Sequence, residues 1–320
     1  MKPRASFTGL LTAAGLLACL ATLTSFAGPF WWGFELTTHF RAQYALALGG
    51  FALILLALRQ WRWPTLFGVF ALLNLAFLIP AFWEEVPATP TIAAGNSPTL
   101  RALLANVNAE NRDFQRIRDL IAAADPDIVV LVEATPWLLD RLRDLGQRYP
   151  HRLAEPRDDL FGIALFSRHP LAQGQIIRFD DKASPPAIVA TIIAAARPFT
   201  LIGAHLWPPV SIDLAEGRNR QLRALAAQVR QSQTPSLVLG DLNLSPWSPW
   251  FSRLLADAGL RDSRRGHGIQ PSWPAGWPLL WIPIDHVLFS DGIRIRHREI
   301  GPAIGSDHYP VIVDFHVSDP

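Results

Sequence analysis

Three stretches without a single charged side chain fill most of the first third of the sequence, at about Phe7 to Phe26, Ala42 to Leu58 and Pro64 to Trp83. Each is close to the ~20 residues that an α-helix needs to cross the hydrocarbon core of a bilayer. A helix lying on a soluble core would show a polar stripe at every turn, and these segments show none. They are read as three transmembrane helices. Trp31, Trp32, Trp61, Trp63 and Trp83 sit at their ends, where an indole buries its ring in the membrane interface and keeps its N–H near water.

Basic residues set the expected orientation. Lys2 and Arg4 precede the first segment, and Arg59 and Arg62 fill the short loop between the second and third, so those ends belong on the cytoplasmic side. Glu35 and Arg41 are the only charges in the first loop, and Glu84 and Glu85 follow the third segment. An odd number of crossings then delivers the remainder of the chain outside. The expectation is a multi-pass protein of the cell (inner) membrane whose C-terminal domain is extracytoplasmic. Ser25-Phe26-Ala27 also resembles a signal-peptide cleavage site, a reading that leaves the domain on the same side. Residues 1–85 are taken as the membrane anchor, 86–99 as a Pro- and Ala-rich linker, and 100–320 as a separate domain.

Beyond residue 99 the basic and acidic residues are equal in number. Non-specific nucleic-acid binding draws on a basic surplus, so neutrality weakens that reading. The one cysteine, Cys19, lies in the first apolar segment, which excludes a disulfide framework, a zinc ribbon or a thiol nucleophile later in the chain. No G-x-S-x-G elbow and no H-E-x-x-H motif is present, which removes the usual serine-hydrolase and zinc-protease signatures.

Short apolar runs alternate with amphipathic segments from Leu100 onward, predicting a mixed α/β domain. Strands are expected at Leu100–Asn106, Ile128–Glu133, Ile163–Ser167, Ile188–Ala194, Thr200–His205, Ser236–Asp241, Ile284–Phe289, Ile293–Glu299 and Pro310–Phe315. Helices are expected at Arg112–Ala124, Pro136–Gly146, Leu214–Gln231 and Pro249–Ala258. Arg197-Pro198 and Asp291-Gly292 read as hairpin turns, so the sheets should be mixed rather than parallel.

Polar residues gather at the strand ends. Asn106, Glu133, His205 and Asp241 with Asn243 close their strands, Asp285 opens one, and Asp307-His308 precedes the last. Side by side, such ends make an oxygen-rich rim suited to Mg²⁺ or Mn²⁺, hard cations that take carboxylates and substrate phosphate oxygens.

These motifs carry a specific resemblance. Asn106-Val107, Glu133 after an apolar strand, Gly240-Asp241-Leu242-Asn243, Ile284-Asp285-His286 and Gly305-Ser306-Asp307-His308-Tyr309-Pro310-Val311 occur in the order of the endonuclease/exonuclease/phosphatase superfamily. The resemblance implies a deoxyribonuclease-I-like, four-layer α/β sandwich with mixed β-sheets, here preceded by three transmembrane helices. It implies a metal-dependent hydrolase or nuclease acting on phosphate esters. Glu133, with Asn106 and Asp307, matches the metal shell; Asp241 and Asn243 match the pair that orients the nucleophile and binds phosphate. His308 matches the essential histidine, as either base or phosphate-binding acid, Asp285 the carboxylate that holds it, and His205 the second histidine of some branches. Asn108 stands where many DNA-repair members carry an acid, and the repair tyrosine near the middle of the domain is missing, which turns the expectation away from DNA repair.

Partners expected are the bilayer, through three helices, and a phosphate ester, either nucleic acid or a phospholipid head group; no protein partner is expected. Trp207, Trp247, Trp250, Trp273, Trp277 and Trp281 flank the motif loops, either as packing beneath long loops or as an apolar rim facing the membrane. The rival class is a membrane-anchored binding protein that keeps the fold without turnover, against which the intact motif set argues. Arg168 is read as a solvated arginine, and His39, His151, His169, His267, His297 and His316 as surface or packing histidines.

Overall fold

The computed structural model describes residues 6–83, 98–181, 183–194 and 197–317. The predicted linker falls almost wholly outside the described residues, as does the tip of the hairpin around residue 196; Arg197-Pro198 itself begins a strand.

The apolar stretches fold as α1 (Phe7–Ser25), α3 (Arg41–Ala57) and α4 (Pro64–Leu78), with a short α2 (Trp32–Leu36) and a 3₁₀ turn (Thr37–Phe40) before α3. All three helical segments are long and apolar enough to span a bilayer. Apolar side chains face both the interior of the bundle, as Leu48, Leu55 and Phe67 do, and its outside. Leu46 is 77% exposed, and Leu17, Leu53 and Leu72 are also exposed, whereas Thr22, Arg41 and Asn74 are buried. Asn74 Nδ2 donates to Thr22 Oγ1 at 2.9 Å, and Arg41 Nη1 donates to Asn74 Oδ1 at 3.1 Å. Polar groups facing inward and leucines facing outward suit hydrocarbon surroundings, where a polar group finds partners only within the protein.

The rest is a sandwich of two six-stranded mixed sheets. In the first, β1 (Leu100–Asn106) lies between β2 (Ile128–Val132) and β12 (Val311–Val317). β11 (Ile293–Ile300) flanks β12, while β4 (Ile163–Ser167) and β3 (His151–Glu155) follow β2. In the second, the order is β5 (Leu171–Arg178), β6 (Pro186–Ala194), β7 (Arg197–His205), β8 (Ser236–Asp241), β10 (Asp285–Phe289) and β9 (Arg261–Asp262).

Period-two burial builds the layers. Ala102, Leu104, Val130, Leu165, Ile188, Leu201, Leu239 and Phe315 interleave between the sheets. On the outer face of the first sheet, Leu103, Leu131 and Phe166 meet α5 (Phe114–Ala124) and α6 (Pro136–Arg141). The second sheet carries α7 (Ile212–Gln231) and α8 (Pro249–Ala258) on its outer face. The expected four-layer α/β sandwich is the observed one. β3, β5 and β9 were not anticipated, because β3 and β5 are half-exposed strands at sheet edges and β9 has only two residues. Glu133, expected inside β2, lies just past it with φ +59°.

Helical bundle and sandwich meet at one end of the bundle. Glu35, His39, Gln43, Phe77 and Ala81 bond to Arg218 and Ser248, Ser245, Trp281, Trp247 and Gly268 respectively. This is the end where α1 finishes, α3 begins and α4 finishes. It is opposite the Arg59/Arg62 turn.

Candidate active site

Sheet register brings the polar strand ends together. β7 and β8 run parallel with His205 opposite Asp241, and β8 pairs antiparallel with β10 so that Asp285 lies opposite the same Asp241. Across the sandwich, β1 and β2 run parallel with Asn106 opposite Val132, which places Glu133 one residue beyond it. Gly240 is needed where β8 approaches β7, because a Cβ there would come within 2.3 Å of the Ala204 carbonyl oxygen.

His308 Nδ1 lies 2.8 Å from Asp285 Oδ2 and its Nε2 lies 3.7 Å from Asp241 Oδ2. His205 Nε2 is 3.6 Å from that same oxygen. Asn106 Nδ2 donates both to Asp241 Oδ2 at 3.1 Å and to Glu133 Oε1 at 2.9 Å, so one amide joins the two sheets. Glu133 Oε2 accepts from the Ala109 amide at 3.1 Å. Asn243 donates its backbone N–H to Asp241 Oδ1 at 3.0 Å and its Nδ2 to the Leu206 carbonyl at 2.9 Å, which fixes the direction of its amide. Asn108, Glu133 and Asn243 all have φ between +53° and +59°. Left-handed backbone at non-glycine residues costs of order 1–3 kcal/mol each and persists where the surroundings hold it.

The charges are strongly coupled through space. Burial opposes the protonated ring of His308, but the Asp285 and Asp241 carboxylates outweigh it and push the group up to about 10. Burial and the neighbouring Asp285 push Asp241 up to about 7, against the pull of His308. Burial also works to raise Asp285, yet the charge and hydrogen bond of His308 hold it below the usual carboxylate range. His205 goes the other way, lowered chiefly by burial. The result is a doubly held imidazolium next to a second histidine that favours neutrality.

Asp307 is set apart from this cluster. It is exposed, and its two oxygens accept from Asn108 Nδ2 at 2.8 Å and Trp273 Nε1 at 3.1 Å. Arg168 lies at the far ends of β2 and β4, paired with Asp125 and Asp127. Several residues that position the site carried no motif. Ser272 Oγ accepts the Asp285 amide at 3.1 Å, Arg298 Nη2 donates to the Asp285 carbonyl at 3.3 Å, and Trp273 holds Asp307. His39, expected as a surface or packing histidine, is buried with Nδ1 2.9 Å from Ser245 Oγ. No local pattern in the sequence signals these long-range pairings.

The profile of the Endonuclease/Exonuclease/phosphatase family matches residues 103–308. The chain belongs to that family. Its fold is also that of several solved structures at low identity. TDP2 of D. rerio, complexed with a single-strand DNA product, superposes with a TM-score of 0.59 at 16% identity over 68% of this chain and 99% of that one. The human Nocturnin catalytic domain, with bound sulfate, gives a TM-score of 0.57 at 19% identity over 69% and 94%. An endonuclease/exonuclease/phosphatase from Bacteroides vulgatus gives 0.58 at 17% identity over 69% and 100%. Among curated protein sequences none matches this chain.

Family membership implies a divalent metal, and the donors present are compatible with one. Glu133 offers two hard oxygen atoms; Asn106 turns Nδ2 toward Glu133 and Asp241 while its Oδ1 accepts from the Asn108 amide, so it would offer an oxygen here with its amide reversed. Asp241, Asp285 and His308 offer ligand atoms all within 4.8 Å of one another, but the His308 ring is already oriented by Asp285. Glu133, with Asn106 beside it, is therefore the alternative oxygen donor to that group.

Proposed function

We propose that this family member is a membrane-tethered, divalent-metal-dependent hydrolase of phosphodiester or phosphomonoester bonds. Residues 1–85 form its anchor and residues 100–320 its catalytic domain, which faces the extracytoplasmic side of the cell (inner) membrane. The reading rests on one observation above the rest: His308 is bonded to Asp285, and its free nitrogen faces Asp241 at the point where both sheets end.

Mg²⁺ or Mn²⁺ held by Glu133 and Asn106 would neutralise charge on the phosphate. Asp307, whose oxygens each accept one hydrogen bond from Asn108 or Trp273, would join that shell through water with its remaining acceptor positions. The other roles belong to the chain itself. Asp241, raised by its surroundings, is placed to accept a proton from an attacking water, and Asn243 to orient that water and a phosphate oxygen. Protonated His308 is placed to hold the anionic phosphate, and buried His205 lines the other side of Asp241.

Between a nucleic acid and a phospholipid, exposed apolar residues beside the site favour the lipid. Trp277 is 68% and Leu279 85% exposed. Their loop is tied to Asp307 at one end, through Trp273, and to Gln43 at the start of α3 at the other. Such a loop next to membrane-spanning helices suits the interface of a bilayer.

The deciding assay uses the full chain in detergent, with bis(p-nitrophenyl) phosphate, plasmid DNA and phospholipid vesicles as substrates, in Mg²⁺, Mn²⁺ or EDTA. Metal-dependent turnover that disappears in both Asp241→Ala and His308→Ala is expected. A folded protein that neither binds Mn²⁺ nor turns over any of the three would favour the binding-protein reading instead.

A further inference from the structure

The loop that carries Asn243 is held from the membrane side. Arg218, on α7, is completely buried and ion-paired with Glu35 of α2, which is also completely buried. All three nitrogens of its guanidinium donate. Nε and Nη2 donate to Asn219 Oδ1 at 3.1 and 2.8 Å, Nη2 also reaches Glu35, and Nη1 donates to the Asn243 carbonyl at 3.1 Å. The other oxygen of Glu35 accepts from Ser248 Oγ at 2.6 Å. Two residues after Asn243, Ser245 donates its amide to His39 Nδ1 at 3.3 Å. Trp247 donates Nε1 to the Phe77 carbonyl at the end of α4 at 3.2 Å.

From this we infer that Glu35, His39 and Arg218 are positioning residues for Asn243, so that the first extracytoplasmic loop of the membrane domain is part of the catalytic apparatus. The inference rests on the catalytic reading of Asn243 proposed above. Asn243 sits at φ +53°, a conformation that reverts toward ordinary backbone unless its neighbours fix it. Arg218 fixes its carbonyl, Asp241 its amide and Leu206 its side chain. Glu35 supports the first of these, because its carboxylate offsets the cost of holding the Arg218 guanidinium away from water. A simple structural ion pair would need no contact with the reacting strand end. This pair contacts the carbonyl of the residue assigned to orient the nucleophile.

The distinction can be tested on the full-length protein in detergent, with bis(p-nitrophenyl) phosphate and Mn²⁺. A Glu35→Leu/Arg218→Met double variant replaces the pair by apolar side chains and leaves no orphaned charge, so it should fold. If the pair only stabilises, kcat returns to the parent value. If it positions Asn243, kcat falls by about tenfold or more while KM changes little, since small displacements of a reacting group cost about that much. His39 supplies a milder pair of variants that does not depend on the double variant folding. His39→Leu should lower kcat, and His39→Asn, whose side-chain oxygen can accept the Ser245 amide, should restore most of it. Parent-like kcat in the folded double variant, or in His39→Leu, overturns the inference. Asn243→Ala is the control: if it too retains activity, the assignment of the site itself is wrong.

Discussion

Burial by itself would strip the proton from His308, and two carboxylates keep it there. That balance decides which of the two roles left open for this histidine the site favours. With the group raised to about 10, the ring is charged throughout the neutral range, which suits an acid or a phosphate holder rather than a base. Asp285 provides both a charge and the 2.8 Å hydrogen bond. Asp285→Asn removes the charge, leaving burial opposed by Asp241 and, to a smaller extent, Asp307, so the His308 value must fall. The alkaline limb of the kcat/KM–pH profile should therefore move to lower pH in Asp285→Asn. An unmoved alkaline limb would count against a protonated His308; the acid limb should also fall, because Asp285 adds to burial in raising Asp241. At this scale the sequence was informative wherever a motif carried the residue: Asn106, Glu133, Asp241, Asn243, Asp285 and His308 converge. Glu35 and Arg218 were invisible, because their partnership spans 183 positions and an isolated acid in a short loop reads as a solvated charge.

The element that separates a lipid enzyme from a nuclease is the loop from Trp273 to Trp281. Its base is well held, with Trp273 bonded to Asp307 and Tyr309 donating its amide to Ser272 at 2.7 Å. Its tip presents Trp277, Leu279 and Leu280 outward. Apolar side chains exposed to water at a loop tip gain free energy on entering a lipid interface, roughly 1.5–3 kcal/mol for each one fully buried. A Trp277→Ala/Leu279→Ala variant is expected to lose at least about tenfold activity on phospholipid vesicles and little on bis(p-nitrophenyl) phosphate. Equal losses on both would make the loop part of the site's own packing. The tryptophans proved to be of two kinds, which composition could not sort: Trp247 is buried against the end of α4, and Trp277 is exposed. Strands through the core, such as β1, β4 and β8, were legible to the residue because both their faces are apolar. β3 and β5 were not, since neither shows a regular inside–outside alternation and β5 shifts register between Ala172 and Gln175.

For the molecule as a whole, the tether read from residues 86–99 led to the expectation of two independent parts, and the contacts between bundle and sandwich argue against independence. Five hydrogen-bonded positions at the end of the bundle that meets the sandwich would be lost if the chain were cut after residue 85. Glu35 bonds Arg218 and Ser248, His39 bonds Ser245, Gln43 bonds the Trp281 carbonyl, and the Phe77 and Ala81 carbonyls accept from Trp247 and Gly268. The core between the sheets does not involve the bundle, so residues 86–320 should still fold cooperatively. The site loops should not keep their geometry. Arg218 would regain water and lose its carboxylate, and the 243–248 loop would lose its contacts with α2, the turn before α3 and the end of α4. The truncated protein should therefore retain the circular dichroism of an α/β sandwich yet show about tenfold or greater loss of kcat on bis(p-nitrophenyl) phosphate relative to the full chain. Hydrogen exchange at residues 243–248 should rise with it, because local opening follows from lost contacts rather than from global instability. Parent-like kcat and protection in the truncated protein would mean that the membrane helices are a tether and nothing more. Loss of both would make the bundle a structural member of the active site, and would explain why the end of it that meets the sandwich buries Glu35 and His39.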